Sequence, residues 1–108
     1  GTIMHIIGTG FDKINQFSLS TAFDISTASY VQYLIVRPNG SNNNPQGLTF
    51  NNDGTKLFVL FDSPNQNTSS YMYQYTLSTP YDITSTVTAG NSLRLGNQYK
   101  NYRTFISY

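Results

Sequence analysis

The stretch Gln74-Tyr-Thr-Leu-Ser-Thr-Pro-Tyr-Asp-Ile-Thr84 is written twice in this chain of 108 residues. Its earlier copy is Gln16-Phe-Ser-Leu-Ser-Thr-Ala-Phe-Asp-Ile-Ser26, displaced by 58 residues (16 to 74). Gln, Leu, Ser, Thr, Asp and Ile recur unchanged, and most differences exchange Phe for Tyr or Ser for Thr, which keeps shape and strand propensity. Self-similarity at this spacing marks stacked supersecondary units. Within the element, Ser20, Thr21 and Asp24 can bond to nearby backbone, and Pro80 fixes its φ near about −65°. A Ser–Thr–Asp nucleophile is the poorer reading, because no His recurs beside the motif and it repeats with the unit, as a corner must. Asp24 and Asp82 are therefore expected to be corner residues bonded to their own backbone, with Ile25 and Ile83 as the apolar anchors of the two copies.

Working outward, Tyr71-Met-Tyr-Gln-Tyr-Thr-Leu77 alternates strictly, with Tyr71, Tyr73, Tyr75 and Leu77 on one face of a strand. Its copy, Lys13 to Leu19, alternates less well, but Ile14 or Phe17 can face a core. Gly1-Thr-Ile-Met-His-Ile-Ile-Gly8 reads as a buried strand. Its counterpart, at an offset of 53 (1 to 54), is Gly54 to Phe61, which puts His5 in the place of Phe58. A lone His in an aromatic's place predicts a packed or hydrogen-bonded side chain. Asn51-Asn-Asp-Gly-Thr55 is a hairpin signal that accounts for Asp53 without a ligand. Tyr30 to Val36 and Gln46 to Phe50 read as strands separated by the Asn39–Pro45 loop. The tail repeats that order, with a strand at Ser92–Leu95, a loop, and a strand at Thr104–Tyr108. Asp62 with Asn65 and Asn67 offers oxygens, but one carboxylate rarely holds calcium, so a solvated loop is the reading there.

Composition narrows the function classes. Five acids, all Asp, and six bases leave a net charge of +1, with no electrostatic footprint for nucleic acid or anionic membrane. Asn, Gln, Ser and Thr supply 43 residues and Tyr and Phe another 16, while Glu, Trp and Cys are absent. That mixture suits two-faced strands joined by polar turns and is poor in strong helix formers. Without Cys there are neither disulfides nor thiolate metal sites. No apolar run reaches the roughly 20 residues that span a bilayer. The first residue is Gly rather than Met, which suggests a processed, cleaved or excised chain.

The expected fold is all-β: a single domain, residues 1–108, of two four-stranded antiparallel units, with copies 1–50 and 54–108 and a terminal hairpin split between the two ends. In that reading Thr104–Tyr108 lies antiparallel beside Ile3–Ile7. The layout is similar to β-propeller blades. The Phe50 to Val59 segment resembles the Asp-Gly-plus-apolar-strand signature of YVTN-like propeller repeats. Leu-Ser-Thr-Pro-Tyr-Asp-Ile-Thr resembles an element of tandem propeller repeats in phage and bacterial surface proteins. The two-unit layout is similar to small bacterial and fungal lectins whose chains trimerise into a ring. These motifs are structural and imply no catalytic residues and no cofactor.

The resulting expectation is a non-enzymatic structural or adhesion module of a virion or cell surface, extracellular, that completes a ring. The ring is filled either by a homo-oligomer, most simply a trimer, or by further blades of a longer chain. A carbohydrate-binding lectin is the alternative, with Tyr30, Tyr33, Tyr99, Tyr102 and Arg103 as candidate glycan contacts. No metal site is expected, and neither nucleic acid nor membrane as a partner.

Overall fold

The structure is a computed structural model, and it describes residues 1–8, 12–36, 44–62 and 70–96. Among the described residues seven strands follow one another: β1 (Ile3–Gly8), β2 (Lys13–Leu19), β3 (Ala28–Ile35), β4 (Asn44–Phe50), β5 (Lys56–Asp62), β6 (Ser70–Leu77) and β7 (Val87–Gly96). A 3₁₀ turn, Ile25–Thr27, lies between β2 and β3. The strands form two antiparallel sheets in meander order, β1-β2-β3 and β4-β5-β6-β7, and neither closes on itself among the described residues. The all-β expectation holds, but in place of two four-stranded units the described residues form one sheet of three strands and one of four, and β4, expected to end the first copy, pairs with β5 in the second sheet. Among the described residues no helix is long and apolar enough to cross a membrane.

The sheets stack through one face each. Leu57, Val59 and Phe61 of β5 stand opposite Tyr75, Tyr73 and Tyr71 of β6, so the alternation read from the sequence places one face of the four-stranded sheet in the core. Against it pack Ile14 and, less fully buried, Ile7 and Leu34 of the three-stranded sheet. Ile7 pairs Ile14 and Ile14 pairs Leu34, so these three share a face. His5 and Gln16, also a cross-strand pair, lie two residues along on that face.

The repeat is visible in the hydrogen bonds. Ser26 N–H donates to Asp24 Oδ1 at 3.0 Å, and Thr84 N–H to Asp82 Oδ1 at 2.9 Å. The Thr27 hydroxyl donates to the Asp24 carbonyl at 2.7 Å, and the Ser85 hydroxyl to the Asp82 carbonyl at 2.6 Å. Phe23 N–H reaches the Gly1 carbonyl and Tyr81 N–H the Gly54 carbonyl, with φ of 62° and 61° at the two aromatics. Both corners spend their polar side chains on their own backbone, as the sequence predicts. Gly54 has φ of 73° and lies under the Tyr81 ring, so a Cβ there would meet the ring as well as an unfavourable backbone. Each copy also carries a β-bulge opposite its glutamine, at Gln16/Phe17 and around Gln74.

Several expectations change. Leu19 faces Ala28 while Leu77 faces Val87, so the third strands correspond at an offset of 59 (28 to 87) rather than 58. β7 runs from Val87, well before the expected Ser92. β1 is not a buried strand: Ile6, on the face away from the core, is 48% exposed with nothing among the described residues covering it, and Ile3, on the face of His5 and Ile7, is 40% exposed near the strand's start. Ile25 does not anchor its copy, being 74% exposed where Ile83 is 3%. The expected strand Thr104–Tyr108, its pairing with Ile3–Ile7, and Asn65 and Asn67 lie outside the described residues. Asp62 accepts from the Ser70 hydroxyl at 3.0 Å.

Candidate functional site

Where the sheets meet, one polar cluster is set into the apolar junction. The bulge in the β2–β3 ladder lies opposite Gln16, whose side chain is buried against the second corner. Its Oε1 accepts from the Ile83 N–H at 2.8 Å and lies 3.2 Å from His5 Nε2, and its Nε2 donates to Asp82 Oδ1 at 3.1 Å. These partners fix the amide's orientation, since the reverse would set oxygen against carboxylate and NH₂ against an N–H. With Oε1 as acceptor, His5 Nε2 carries the proton and donates it. The glutamine thus ties the first sheet to the backbone and side chain of the second corner.

The electrostatics follow from this packing. Burial lowers the His5 pKa below its ordinary 6.5, opposed by the Gln16 bond, the Tyr81 backbone and the Asp82 charge. The imidazole is therefore neutral at pH 7. The Thr84 hydroxyl, at 2.6 Å from Oδ1, is the main cause holding the Asp82 carboxyl below its usual range. Ser26 does the same for Asp24 and Thr55 for Asp53. Burial pushes the Tyr75 phenol up to about 12, which keeps it protonated.

Beside the cluster opens a cleft of about 560 Å³ lined by Gly1, Thr2, Ile3, His5, Phe50 and Tyr81. Phe50 stands between the His5 ring, 4.9 Å away, and the Tyr81 ring, 5.3 Å away. The Tyr81 hydroxyl donates to the Asn52 carbonyl at 2.8 Å, which pins that ring across the hairpin turn. Such a wall offers ring faces for stacking and one neutral imidazole for hydrogen bonding. Among the described residues no group of three or more His, Cys, Asp or Glu side chains is placed to hold a metal ion.

The tyrosines singled out from the sequence lie elsewhere. Tyr30 and Tyr33 are exposed on β3, on the sheet face away from His5. Tyr30 meets Phe17 edge-on at 5.8 Å, and the Lys13 ammonium sits 4.0 Å over the Tyr33 ring. Tyr99, Tyr102 and Arg103 lie outside the described residues. Sequence reasoning missed the junction residues Gln16, Phe50 and Tyr81. One signal was present: Gln heads both copies of the repeat unchanged while its neighbours drift. Comparison with protein-family models, curated proteins and solved structures gives no match for this chain.

Proposed function

We propose that this chain is a non-enzymatic β-propeller module, structural or adhesive, of a virion or cell surface, and that its two sheets are blades of a ring completed by further blades. The observation that carries this reading is the repeated corner, in which the polar side chains that could serve chemistry are bonded to their own turn in both copies. Meander strand order in each sheet and face-to-face stacking of the sheets support it. Electron microscopy of the purified protein tests it: closed rings of blades are expected, and two-sheet particles alone would sink the ring.

A lectin is the second reading, favoured by the cleft walled by Phe50, Tyr81 and His5. Sugar rings stack on aromatic faces of this kind. A glycan array distinguishes the two, with saturable binding that Phe50→Leu weakens supporting the lectin and no binding supporting the scaffold.

A further inference from the structure

The junction between the two sheets has a donor side and an acceptor side, and each side recurs at an outer face of the molecule. On the donor side stand His5, Ile7, Ile14, Gln16 and Leu34 of the first sheet. The offsets place Phe58, Leu60, Met72, Gln74 and Leu93 at the same positions of the second sheet, on its face away from the core. Phe58, Met72, Gln74 and Leu93 line a shallow depression of about 190 Å³ there. Leu93 is 58% exposed where its counterpart Leu34 is half-buried, and Met72 is half-buried where its counterpart Ile14 is buried, while Leu60 is buried beside them.

The acceptor side repeats in the same way. In the second sheet it consists of Val59, Tyr81, Asp82 and Ile83. Their counterparts in the first sheet are Ile6, Phe23, Asp24 and Ile25, all exposed. Phe23 is 85% exposed against 37% for Tyr81. Asp24 Oδ1 is aimed by Ser26 as Asp82 Oδ1 is by Thr84. The Ile25 N–H has no side-chain acceptor among the described residues, and Gln74 makes no side-chain hydrogen bond there.

We infer that a second copy of this chain seats its Phe23–Asp24–Ile25 corner on the outer face of the four-stranded sheet, with Gln74 accepting from the Ile25 N–H and donating to Asp24 across the new junction. The occupant is a second copy because the required surface is already present on the chain, and the internal Gln16 junction is its template. Complementary patches on opposite ends of one chain make a heterologous interface, which closes into rings or grows as filaments. Exposed apolar residues on both faces are then covered. Tyr30 and Tyr33 share the acceptor sheet's outward face, at its outer strand, so the copy covers or rims them. The inference rests on the blade reading above, to which it gives a partner and a contact.

Two variants block opposite ends, Ile25→Arg and Gln74→Arg. Both positions are solvent-accessible, and unchanged near-ultraviolet circular dichroism verifies that each variant folds. By sedimentation velocity the parent chain is expected to associate, and each variant alone to run as a monomer. Mixed in equal amounts, the variants retain one intact junction between them and form a dimer of about twice the 12.1 kDa chain mass. Mixtures that remain monomeric overturn the inference, as does a parent chain that stays monomeric, the behaviour expected if further blades of a longer polypeptide occupy these faces. A discrete parent oligomer that survives in both variants overturns this junction while leaving the ring intact. Open filaments of the parent that both variants abolish uphold the junction and overturn the ring.

Discussion

The two corners share a sequence and a hydrogen-bond set, yet one is core and the other surface. Ile83 lies under the first sheet, whereas Ile25, its counterpart, is 74% exposed. Phe23 covers Gly1 as Tyr81 covers Gly54, but among the described residues the Tyr81 ring alone is held in turn, by Phe50 and by the Asn52 carbonyl. Local structure is thus complete in each unit, and burial is supplied by the neighbour. A repeat unit of this kind cannot bury its own faces.

The largest contrast is expected at the anchors. Ile83→Ala opens a cavity at the sheet junction and should lower stability by about 2–5 kcal/mol in denaturant unfolding. Ile25→Ala, at a dilution where chains do not associate, should stay within about 0.5 kcal/mol of the parent. Equal losses would show that Ile25 is covered within one chain.

Next come the glutamines. Gln16→Ala leaves the buried Ile83 N–H without its acceptor, at a cost of about 1–3 kcal/mol, whereas Gln74→Ala in the dilute chain should be close to neutral. The same unfolding curves sharpen the comparison. If the Gln74 variant loses as much, a partner for Gln74 lies within the chain.

The corners themselves should differ less. Asp82→Ala removes a turn-capping acceptor, a loss of about 0.5–2 kcal/mol toward the lower end, because the side chain is only partly shielded. Asp24→Ala removes the same local bonds from a fully exposed site and is expected to shift the melting temperature less than Asp82→Ala does.

The smallest effect separates the junctions by pH. His5 titrates lower in the folded protein than its ordinary 6.5, so the unfolded chain binds the proton first. Its contribution to stability is fully present above about 6.5 and is lost as pH falls toward the lowered folded value. Melting temperatures between about pH 7.5 and 5 should decline in the parent and flatten in His5→Phe, which installs the residue of the corresponding position in the second sheet. An unchanged slope in that variant would place the titration elsewhere.

Much of this was legible in the chain before any coordinates. Strict alternation from Tyr71 to Leu77 specifies a strand and its core face, because successive side chains point to opposite sides. Asn51-Asn-Asp-Gly specifies a tight turn, since Gly accepts the positive φ that Gly54 adopts. Asp followed two residues later by Ser or Thr specifies a bonded corner, because the carboxylate accepts both the N–H and the hydroxyl of that residue. These are local determinants, acting within a few residues, and repetition doubled the signal.

Tertiary structure alone decided which copy is buried. Ile25 and Ile83 stand in near-identical words, and their difference in exposure comes from a sheet distant in sequence. The role of Gln16 was hidden for the same reason, since its partners Asp82 and Ile83 lie 66 and 67 residues away. The third-strand offset of 59 likewise emerged only from ladder pairing, because one extra residue in a turn leaves no periodic trace in sequence. Sequence wrote the unit, and packing decided which of its faces meets another.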